Sequence, residues 1–490
     1  MLSARLIAAT LALPLLAAAA ETRPHPCQVR GVFDRALCAT LPVWENRATK
    51  SGRRIELNIV VLPALDKDHA PDPLFLLHGG PGAAATELAP GFARNPVHAR
   101  RDIVMIDQRG TGASNPLDCD FFGHPPDLQR LVTSQFPRAE VRACRERLSK
   151  IADLTQYTTA IAMDDVEEVR QWLGYGKINL WGGSYGTMAA QVYLRQHGAS
   201  VRSVVLQGVA PVDELIPLHH ASAGQRAIDL LFERCRANSE CNSAYPRLRE
   251  DFQAMFQRVR EGAEAEVHDR NGRTARVRPG VEALAEGIRH RLYTDTGIAL
   301  AGMIHRAAGG DLGPILQAAI NAELNLNGRL AEGLLLCVSC SEHLPYITGA
   351  MATRETAGTF LGDLRIKEQQ AACAQWVRGE VPPDVHELVH SNVPVLLMSG
   401  NLDPVTPPSF ADRVAKQLPN SRHVVFPEAS HGGAGDCGEV LMADFIERGA
   451  VQGLDTSCVA GRKAQLPMAA GVFAAVAAAI VLLQRLRSRS

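Results

Sequence analysis

The stretch Gly182-Gly-Ser-Tyr-Gly186 is the strongest indication of fold in this 490-residue chain. Lys177-Ile-Asn-Leu-Trp181 precedes it as a short apolar run typical of a buried strand, and the residues from Thr187 to His197 are good helix formers. A strand, a sharp glycine-flanked turn and a helix are the context in which G-x-S-x-G forms a strained turn that exposes a nucleophilic serine. The sequence therefore predicts that Ser184 is a nucleophile at the edge of a sheet. A glycine-rich turn with an incidental serine is the alternative.

Further apolar runs of strand length lie on both sides of this turn. They are Arg54–Leu62, Pro73–His78, Asp102–Asp107, Val201–Gly208, Val393–Gly400 and His423–Phe426. Helical patterns lie between them at Ala160–Leu173 and Ala411–Leu418. Strands that alternate with helices predict an α/β fold with a mostly parallel sheet covered on both faces.

The alternation stops at Val209 and stays interrupted to about Val385. No clear buried strand is visible there. Helical stretches dominate instead, at Ala221–Arg236, Arg247–Arg260, Val281–Tyr293 and Ile315–Leu324. We expect an inserted helical cap that covers the strand ends, where sites of such folds lie.

A glycine-rich loop, His78-Gly-Gly-Pro-Gly82, follows the second strand run. Without side chains in the way, a backbone N–H can point into a site, and a loop after this strand commonly forms half of an oxyanion hole. We expect Gly80 and Tyr185 to be the two oxyanion donors. A tight strand-to-loop turn is the alternative.

A serine hydroxyl needs a base, and the base needs an acid that fixes its tautomer. Ser184, Asp403 and His431 occur in the order Ser, Asp, His, each just past a predicted strand, and are predicted to form a catalytic triad. His78 precedes Ser184 in the chain and is expected to orient the oxyanion loop, and Asp213 and Glu214 are alternative positions for the acid. Thr406 is a candidate hydrogen-bond donor to the acid loop.

Another loop, Gln108-Arg-Gly-Thr-Gly-Ala-Ser114, follows the third strand run. Asp107 and Arg109 are expected to form a structural charged pair that holds this loop beside the site.

Charge and composition exclude some function classes. The formal net charge is −1, hydrophobic residues make up 46% and charged residues 21%, so nucleic acid is not an expected partner. Cys337-x-x-Cys340 has the spacing of a redox or zinc motif, but no second pair of ligands follows at a suitable spacing. We expect neither a metal nor a cofactor.

Both chain ends indicate export. Residues 1–20 contain Arg5, then an apolar run, and end in four consecutive alanines, which is typical of a secretory signal peptide cleaved after Ala20. An N-terminal membrane anchor is the alternative. Leu466–Leu483 lacks charge and precedes three arginines, so residues 461–490 are interpreted as a C-terminal hydrophobic anchor with a basic tail. A removed sorting tail or an alanine-rich helix packed on the body remain alternatives.

Eleven cysteines in an exported chain favour disulfides. Proximity in the sequence suggests the pairs Cys27–Cys38, Cys119–Cys144, Cys235–Cys241 and Cys437–Cys458, and a pair Cys340–Cys373 would leave Cys337 unpaired. Sequence alone leaves the connectivity open.

From about Cys38 to Cys458 the chain resembles the prolyl aminopeptidase and tripeptidyl aminopeptidase branch of α/β-hydrolases. The resemblance rests on the motifs at 78–82, 107–114 and 182–186, together with Asp403 and His431, and on Cys340-Ser-Glu342 and Ala374-Gln-Trp376, which look like the exported tripeptidyl group. It implies an α/β-hydrolase core at 21–208 and 386–460 and a helical cap at 209–385. Trp44 departs from the residues usual in the family, and the hydrophobic tail is not a general family feature.

The resemblance implies a serine exopeptidase that acts on peptides with a free N-terminus. Such an enzyme needs an anion to pair with the substrate's α-ammonium group, and the resemblance points to Glu342, with Glu214 and Asp213 as weaker candidates. A carboxylesterase with the same triad is the alternative activity. A catalytically inactive binding or adhesion protein on the same fold is the alternative from another class.

Overall fold

The computed structural model describes residues 23–294, 297–327 and 329–460. The predicted signal peptide and the predicted C-terminal anchor lie outside these residues. Within them, no helix has the length and apolarity needed to cross a membrane.

The strands and helices are numbered in chain order. The strands are β1 His25–Cys27, β2 Ala36–Trp44, β3 Arg54–Leu62, β4 Leu74–Leu77, β5 Ile103–Ile106, β6 Ile178–Gly183, β7 Val201–Gln207, β8 Ala265–His268, β9 Thr274–Val277, β10 Val395–Gly400 and β11 Ser421–Phe426. The helices are α1 Ala89–Phe92, α2 Leu128–Leu131, α3 Arg138–Leu148, α4 Thr159–Trp172, α5 Tyr185–His197, α6 His220–Ala237, α7 Ser239–Ala244, α8 Leu248–Arg260, α9 Val281–Arg291, α10 Ile298–Ala308, α11 Gly313–Asn327, α12 Glu332–Val338, α13 Gly349–Thr356, α14 Leu364–Cys373, α15 Pro408–Ala415, α16 Gly435–Arg448 and α17 Ser457–Ala460.

A nine-stranded sheet with the order β1-β2-β3-β5-β4-β6-β7-β10-β11 forms the centre of the fold. The pairs β1–β2, β2–β3 and β3–β5 are antiparallel, and every pair from β5–β4 to β10–β11 is parallel. The carboxyl ends of β4, β6, β10 and β11 therefore lie along one edge. Loops that follow these strands meet at that edge.

The continuous apolar runs of the central strands follow from burial on both faces. Along β4, Phe75 and Leu77 belong to one apolar cluster, and Leu74 and Leu76 belong to the other. Because successive side chains of a strand point to opposite faces, each face contributes to a separate core. This is the arrangement that the sequence predicts.

Between β7 and β10 the chain leaves the large sheet and forms α6 to α14. It also forms the hairpin β8–β9, which the sequence does not reveal. The hairpin strands have four residues each and bury chiefly Val267 and Val277, so their apolar signal is weak. Ile228 and Leu284 of this segment belong to the same apolar cluster as Phe75, so the cap and one face of the sheet share a core.

The two strands at the start of the sheet, β1 and β2, were not predicted. β2 carries Pro42, which lacks a backbone donor and is disfavoured inside strands. It nonetheless pairs with β3 along its length, with Pro42 opposite Glu56.

Five disulfides form: the four pairs that proximity in the sequence suggests, and Cys340–Cys373, the pair that leaves Cys337 unpaired. Cys340–Cys373 joins the end of α14 to a π-helical turn at Ser339–His343. Cys337 is the free cysteine among the described residues and is buried, with the indole Nε1–H of Trp376 3.4 Å from its sulfur. The C-x-x-C motif is therefore divided between a disulfide and a buried thiol.

Candidate active site

Ser184 lies at the sharp turn between β6 and α5. Its backbone has φ 56° and ψ −125°, a conformation that non-glycine residues rarely adopt. A Cβ at Gly186 would lie 1.9 Å from the carbonyl oxygen of Leu77, and one at Gly182 would lie 2.4 Å from the carbonyl oxygen of Gly186. Only glycine fits at either position, which explains the sequence of the turn.

Asp403 and His431 follow β10 and β11 and lie together at the carboxyl edge of the sheet. His431 Nδ1 donates to Asp403 Oδ2 at 2.8 Å, and Asp403 is fully buried. A carboxylate can only accept, so this bond places the imidazole hydrogen on Nδ1 and leaves Nε2 as an acceptor. His431 and Ser184 line the same cavity of about 430 Å³.

The Asp403 carboxylate is held by its own loop. The N–H groups of Val405 and Thr406 each donate to Oδ1 at 2.8 Å, and Thr406 Oγ1 donates to Oδ2 at 2.7 Å. Thr406 Oγ1 also lies 3.2 Å from His431 Nδ1. The hydroxyl of Thr406 therefore donates to the acid, as the sequence suggested, and it also contacts the imidazole, which the sequence did not suggest.

Gly80 and Tyr185 line the same cavity as Ser184. Tyr185 is the first residue of α5, where a backbone N–H has no acceptor within the helix. Gly80 has φ 116°, a left-handed conformation suited to glycine. A Cβ at Gly79 would lie 2.9 Å from that of Ser184, so this loop packs directly against the turn.

His78 is a neutral residue of this loop. Its Nδ1 accepts a hydrogen bond from the N–H of Gly79 at 2.7 Å. Burial, with the nearby Arg329, lowers the pKa of His78 to about 4. This bond joins the imidazole to the backbone of the next loop residue, and the role of His78 in orienting the oxyanion loop stays a prediction.

Asp107 and Arg109 are both buried, but they are not paired with each other. Arg109 donates to both carboxylate oxygens of Asp165, at 2.6 and 2.8 Å. Asp107 instead accepts from the N–H and hydroxyl of Thr86 and from the side chain of Asn58. The expectation of a charged pair is wrong, because Asp165 of α4 supplies the acid that neutralises the guanidinium.

Glu342 does not line the cavity. Its carboxylate is buried beneath the turn, where Oε1 accepts from the N–H of Thr159 and Oε2 from the hydroxyl of Thr159, both at 2.7 Å. This corrects the prediction that Glu342 faces the substrate. The π-helical turn at Ser339–His343 directs the side chain toward the start of α4 instead.

Glu214 is a buried carboxylate of the cavity lining. His219 Nδ1 donates to it at 2.7 Å, and the Arg413 guanidinium donates to it at 3.2 Å. Arg413 also pairs with Asp213 at 3.2 Å, and the other nitrogen of His219 lies 3.5 Å from Glu355. Arg354 pairs with the same Glu355 at 2.8 Å, so three carboxylates face two guanidinium groups and one imidazole in this cluster.

Two side chains near the site carry no signal in the sequence. Tyr293, just after α9, lines the cavity and packs its ring against that of His431. The Thr159 hydroxyl bonds the phenol of Tyr185 at 2.6 Å. Both contacts join segments far apart in the chain, so no local pattern reveals them. Among the described residues, no cluster of three histidine, cysteine or acidic side chains is arranged to hold a metal.

Comparison with known families adds an independent line of evidence. A family model described as alpha/beta hydrolase fold matches residues 72–267, and a second, described as TAP-like protein, matches residues 358–458. The first match contains Ser184, and the second contains Asp403 and His431.

Relatives with assigned names match parts of the chain. A proline iminopeptidase of Neisseria gonorrhoeae is 34% identical over 137 residues, which cover 28% of this chain and 32% of the relative. The serine protease Hip1 of Mycobacterium tuberculosis is 29% identical over 229 residues, 42% of each chain. The chain therefore matches about a third of the length of the first relative and less than half of the second.

A solved structure of a proline iminopeptidase from Mycobacterium smegmatis aligns over 84% of this chain and 98% of that chain, with 16% identity and a TM-score of 0.39. The fold assignment rests on the sheet order and the two family models. The chain has an α/β-hydrolase fold, and its matches to these two family models and to part of the proline iminopeptidases fit the prolyl and tripeptidyl aminopeptidase family.

Proposed function

We propose that the protein is an exported serine aminopeptidase, similar to prolyl or tripeptidyl aminopeptidases, that cleaves peptides from a free N-terminus. The observation that carries the proposal is the shared cavity in which strained Ser184 lies with His431, itself bonded to buried Asp403. This arrangement suits nucleophilic attack on a carbonyl, in which a base activates the hydroxyl and an acid fixes the base.

In the proposed reaction, Nε2 of His431 takes the proton of Ser184, and Oγ attacks the carbonyl carbon of the scissile bond. The N–H groups of Tyr185 and Gly80 stabilise the negative charge that develops on the carbonyl oxygen, and one such donor is typically worth about 10²–10³ in rate. His431 then protonates the leaving amine. A water molecule activated by His431 attacks the acyl-enzyme and releases the N-terminal product.

The cluster around Glu214 supports recognition of an α-ammonium group. Asp213, Glu214 and Glu355 face the guanidinium groups of Arg413 and Arg354 and the imidazole of His219, so the cluster carries a negative charge while the imidazole is neutral. Burial lowers the pKa of His219, but the Glu214 carboxylate outweighs this effect and the pKa is raised overall. A desolvated substrate cation requires a nearby anion, and Glu214 is the acid of this cluster that lines the cavity.

Carboxylesterase activity is the second candidate. The hydrogen bonds of Glu214 favour this activity, because the carboxylate oxygens already accept from His219 and Arg413. A neutral ester needs no carboxylate in the cavity.

Export is supported by the disulfides, which persist in oxidising compartments and are rare in the cytosol. The proposal also includes membrane attachment through residues 461–490, and this part rests on hydropathy alone.

The test uses the purified full chain with chromogenic anilides of proline, alanine and a tripeptide, each with a free and a blocked N-terminus, beside simple aryl esters. We expect cleavage of free-amine anilides and little cleavage of the blocked forms. Ester cleavage without a preference for a free amine would replace the aminopeptidase proposal with the esterase. Absence of turnover and of fluorophosphonate labelling would support an inactive binding protein.

A further inference from the structure

Glu342 is a buried acid for which the proposed mechanism has no use. It lies at the start of an uninterrupted chain of hydrogen bonds that ends at the active-site turn. The Thr159 hydroxyl lies 2.7 Å from Glu342 Oε2 and 2.6 Å from the phenolic oxygen of Tyr185. All three side chains are buried.

The direction of these bonds follows from the chemistry of the groups. An ionised carboxylate only accepts, so the Thr159 hydroxyl donates its single hydrogen to Glu342. The oxygen of Thr159 is then free to accept from the phenol of Tyr185. Burial of Tyr185 raises the pKa of its phenol, so the phenol keeps the hydrogen that it donates. The chain therefore runs from Tyr185 through Thr159 to Glu342.

Tyr185 is the residue next to Ser184 and the first residue of α5. Its backbone N–H is one of the two oxyanion donors in the proposed mechanism. Ser184, the residue before it, has a strained backbone conformation with φ 56°. Such strain persists only where the surrounding structure holds the backbone in place. Anchoring the Tyr185 side chain holds the residue whose N–H must point at the oxyanion.

We propose that Glu342 is a positioning residue that fixes the oxyanion donor Tyr185 through the hydroxyl of Thr159. The inference rests on the proposed function only in requiring an acyl-transfer site at Ser184. It holds for an ester as well as for a peptide.

The backbone around Glu342 is itself anchored. Glu342 lies in the π-helical turn Ser339–His343, a rare element that is frequent at functional sites. His386 Nε2 donates to the backbone oxygen of Glu342 at 2.6 Å. The other carboxylate oxygen accepts from the N–H of Thr159, the first residue of α4, where a helix leaves its N–H groups unpaired.

The protonation state of Glu342 determines in which direction the hydrogen bonds between Tyr185, Thr159 and Glu342 run. Burial raises its pKa to about 7, and its bonds from Thr159 lower the pKa only in part. The ionisable groups next to it are Tyr185, His343 and His386, of which buried His343 has its pKa lowered to about 3 and is neutral. Protonated Glu342 would donate to Thr159, whose hydrogen would then turn toward the Tyr185 phenol. We therefore expect the active form above about pH 7.

The test compares Glu342→Gln with wild type, using an aryl ester and the rate of fluorophosphonate acylation. The amide keeps the shape of the acid but donates to Thr159, as protonated Glu342 would. We expect kcat to fall roughly 3- to 30-fold with KM nearly unchanged, less than the about 10²–10³ expected for complete loss of a donor. Tyr185→Phe should have a similar effect, and the double variant should lose little more than either single variant because both break one chain.

The matched control is Glu332→Gln, because Glu332 is also a buried cap acid whose pKa burial raises to about 7, but it accepts from the N–H of Cys119 instead. We expect its kcat to stay close to wild type. The acid limb of log kcat against pH should lose one titrating group in Glu342→Gln, because the amide has no acidic proton to release near pH 7.

If Glu342→Gln does not fold, Thr159→Ser and Thr159→Val replace it, since serine keeps the hydroxyl and valine removes it at similar shape. Near-wild-type kcat for Thr159→Ser with a loss for Thr159→Val supports the proposal. Unchanged kcat in Glu342→Gln or in Thr159→Val would overturn the proposal. It would also be overturned if Glu342→Gln lost no more activity than Glu332→Gln, or if the losses of the two single variants added up in the double variant. Activity that survives in Ser184→Ala would instead refute the proposed function.

Discussion

The ring of Tyr293 packs edge-on against the imidazole of His431, with ring centroids 4.8 Å apart. Arg289 of α9 donates to the Tyr293 hydroxyl at 2.9 Å and to Glu286 at 2.7 Å, so the ring is fixed from within the cap. The neighbouring carbonyl of Leu292 accepts from the hydroxyl of Ser430. The cap therefore contacts the loop of the proposed base directly.

Removing this contact should slow the reaction without abolishing it. Tyr293→Ala deletes the ring that limits the motion of His431, and an aromatic pair of this kind is worth about 0.5–1.5 kcal/mol. We expect kcat to fall roughly 3- to 10-fold, measured by turnover and by fluorophosphonate labelling. Tyr293→Phe keeps the ring and should retain most activity. Equal losses in both variants would show that the hydroxyl, rather than the ring, matters.

The proposed triad predicts a non-additive pattern. Ser184→Ala, Asp403→Ala and His431→Ala should each remove nearly all turnover, and the triple variant should be no worse than Ser184→Ala, because the three side chains act as a unit. Steady-state kinetics with a free-amine anilide measures the losses. Near-normal turnover in any single variant would refute the assignment of that residue.

Thr406 should matter through Asp403. Thr406→Val removes one of the donors to the carboxylate while keeping the shape of the side chain. We expect kcat to fall roughly 10- to 150-fold with KM unchanged, since a hydrogen bond to a charged group contributes ~1.5–3 kcal/mol. Thr406→Ser keeps the hydroxyl and is the control. A Thr406→Val enzyme with wild-type kcat would show that the backbone donors of the loop suffice.

Glu214 should determine the preference for a free amine. Glu214→Gln removes the charge from the cavity wall, so KM for free-amine anilides should rise about tenfold or more while aryl ester hydrolysis changes little. The measurement is the ratio of kcat/KM for free and blocked anilides. Glu87→Gln is the control, because Glu87 is an exposed carboxylate that lines the same cavity. An equal effect of both variants would indicate that only the overall charge of the cavity matters.

The disulfide Cys340–Cys373 should stabilise the cap more than Cys235–Cys241. Their sequence separations are 33 and 6 residues. In the chain-entropy model the longer loop contributes about 3–4 kcal/mol to the free energy of unfolding and the shorter about 2 kcal/mol. Denaturant unfolding of Cys340→Ala/Cys373→Ala beside Cys235→Ala/Cys241→Ala measures the difference. Equal destabilisation would argue against loop entropy as the cause.

Local signals in the sequence were sufficient for most of the sheet. The runs that become β4 and β5 are apolar without interruption because both faces of the sheet are covered, and β3, β6, β7, β10 and β11 keep enough apolar residues to be recognisable in one sequence. β2 and the hairpin β8–β9 were missed because Pro42 interrupts one and four-residue strands weaken the other. Disulfide pairs close in sequence were also readable, since short loops close most readily.

Ser184, Asp403 and His431 were predicted together because each lies in the turn or loop that follows a strand, and strand ends of a parallel sheet meet at one edge. The sequence by itself thus determined the fold class and the residues proposed for catalysis. Only the tertiary structure decided the partners of the buried charges: Asp165 for Arg109, and Thr159 for Glu342, 183 residues away in the chain. These pairings depend on how the cap and α4 pack around the turn, and a buried charge takes whichever partner that packing brings within reach, which no local pattern encodes.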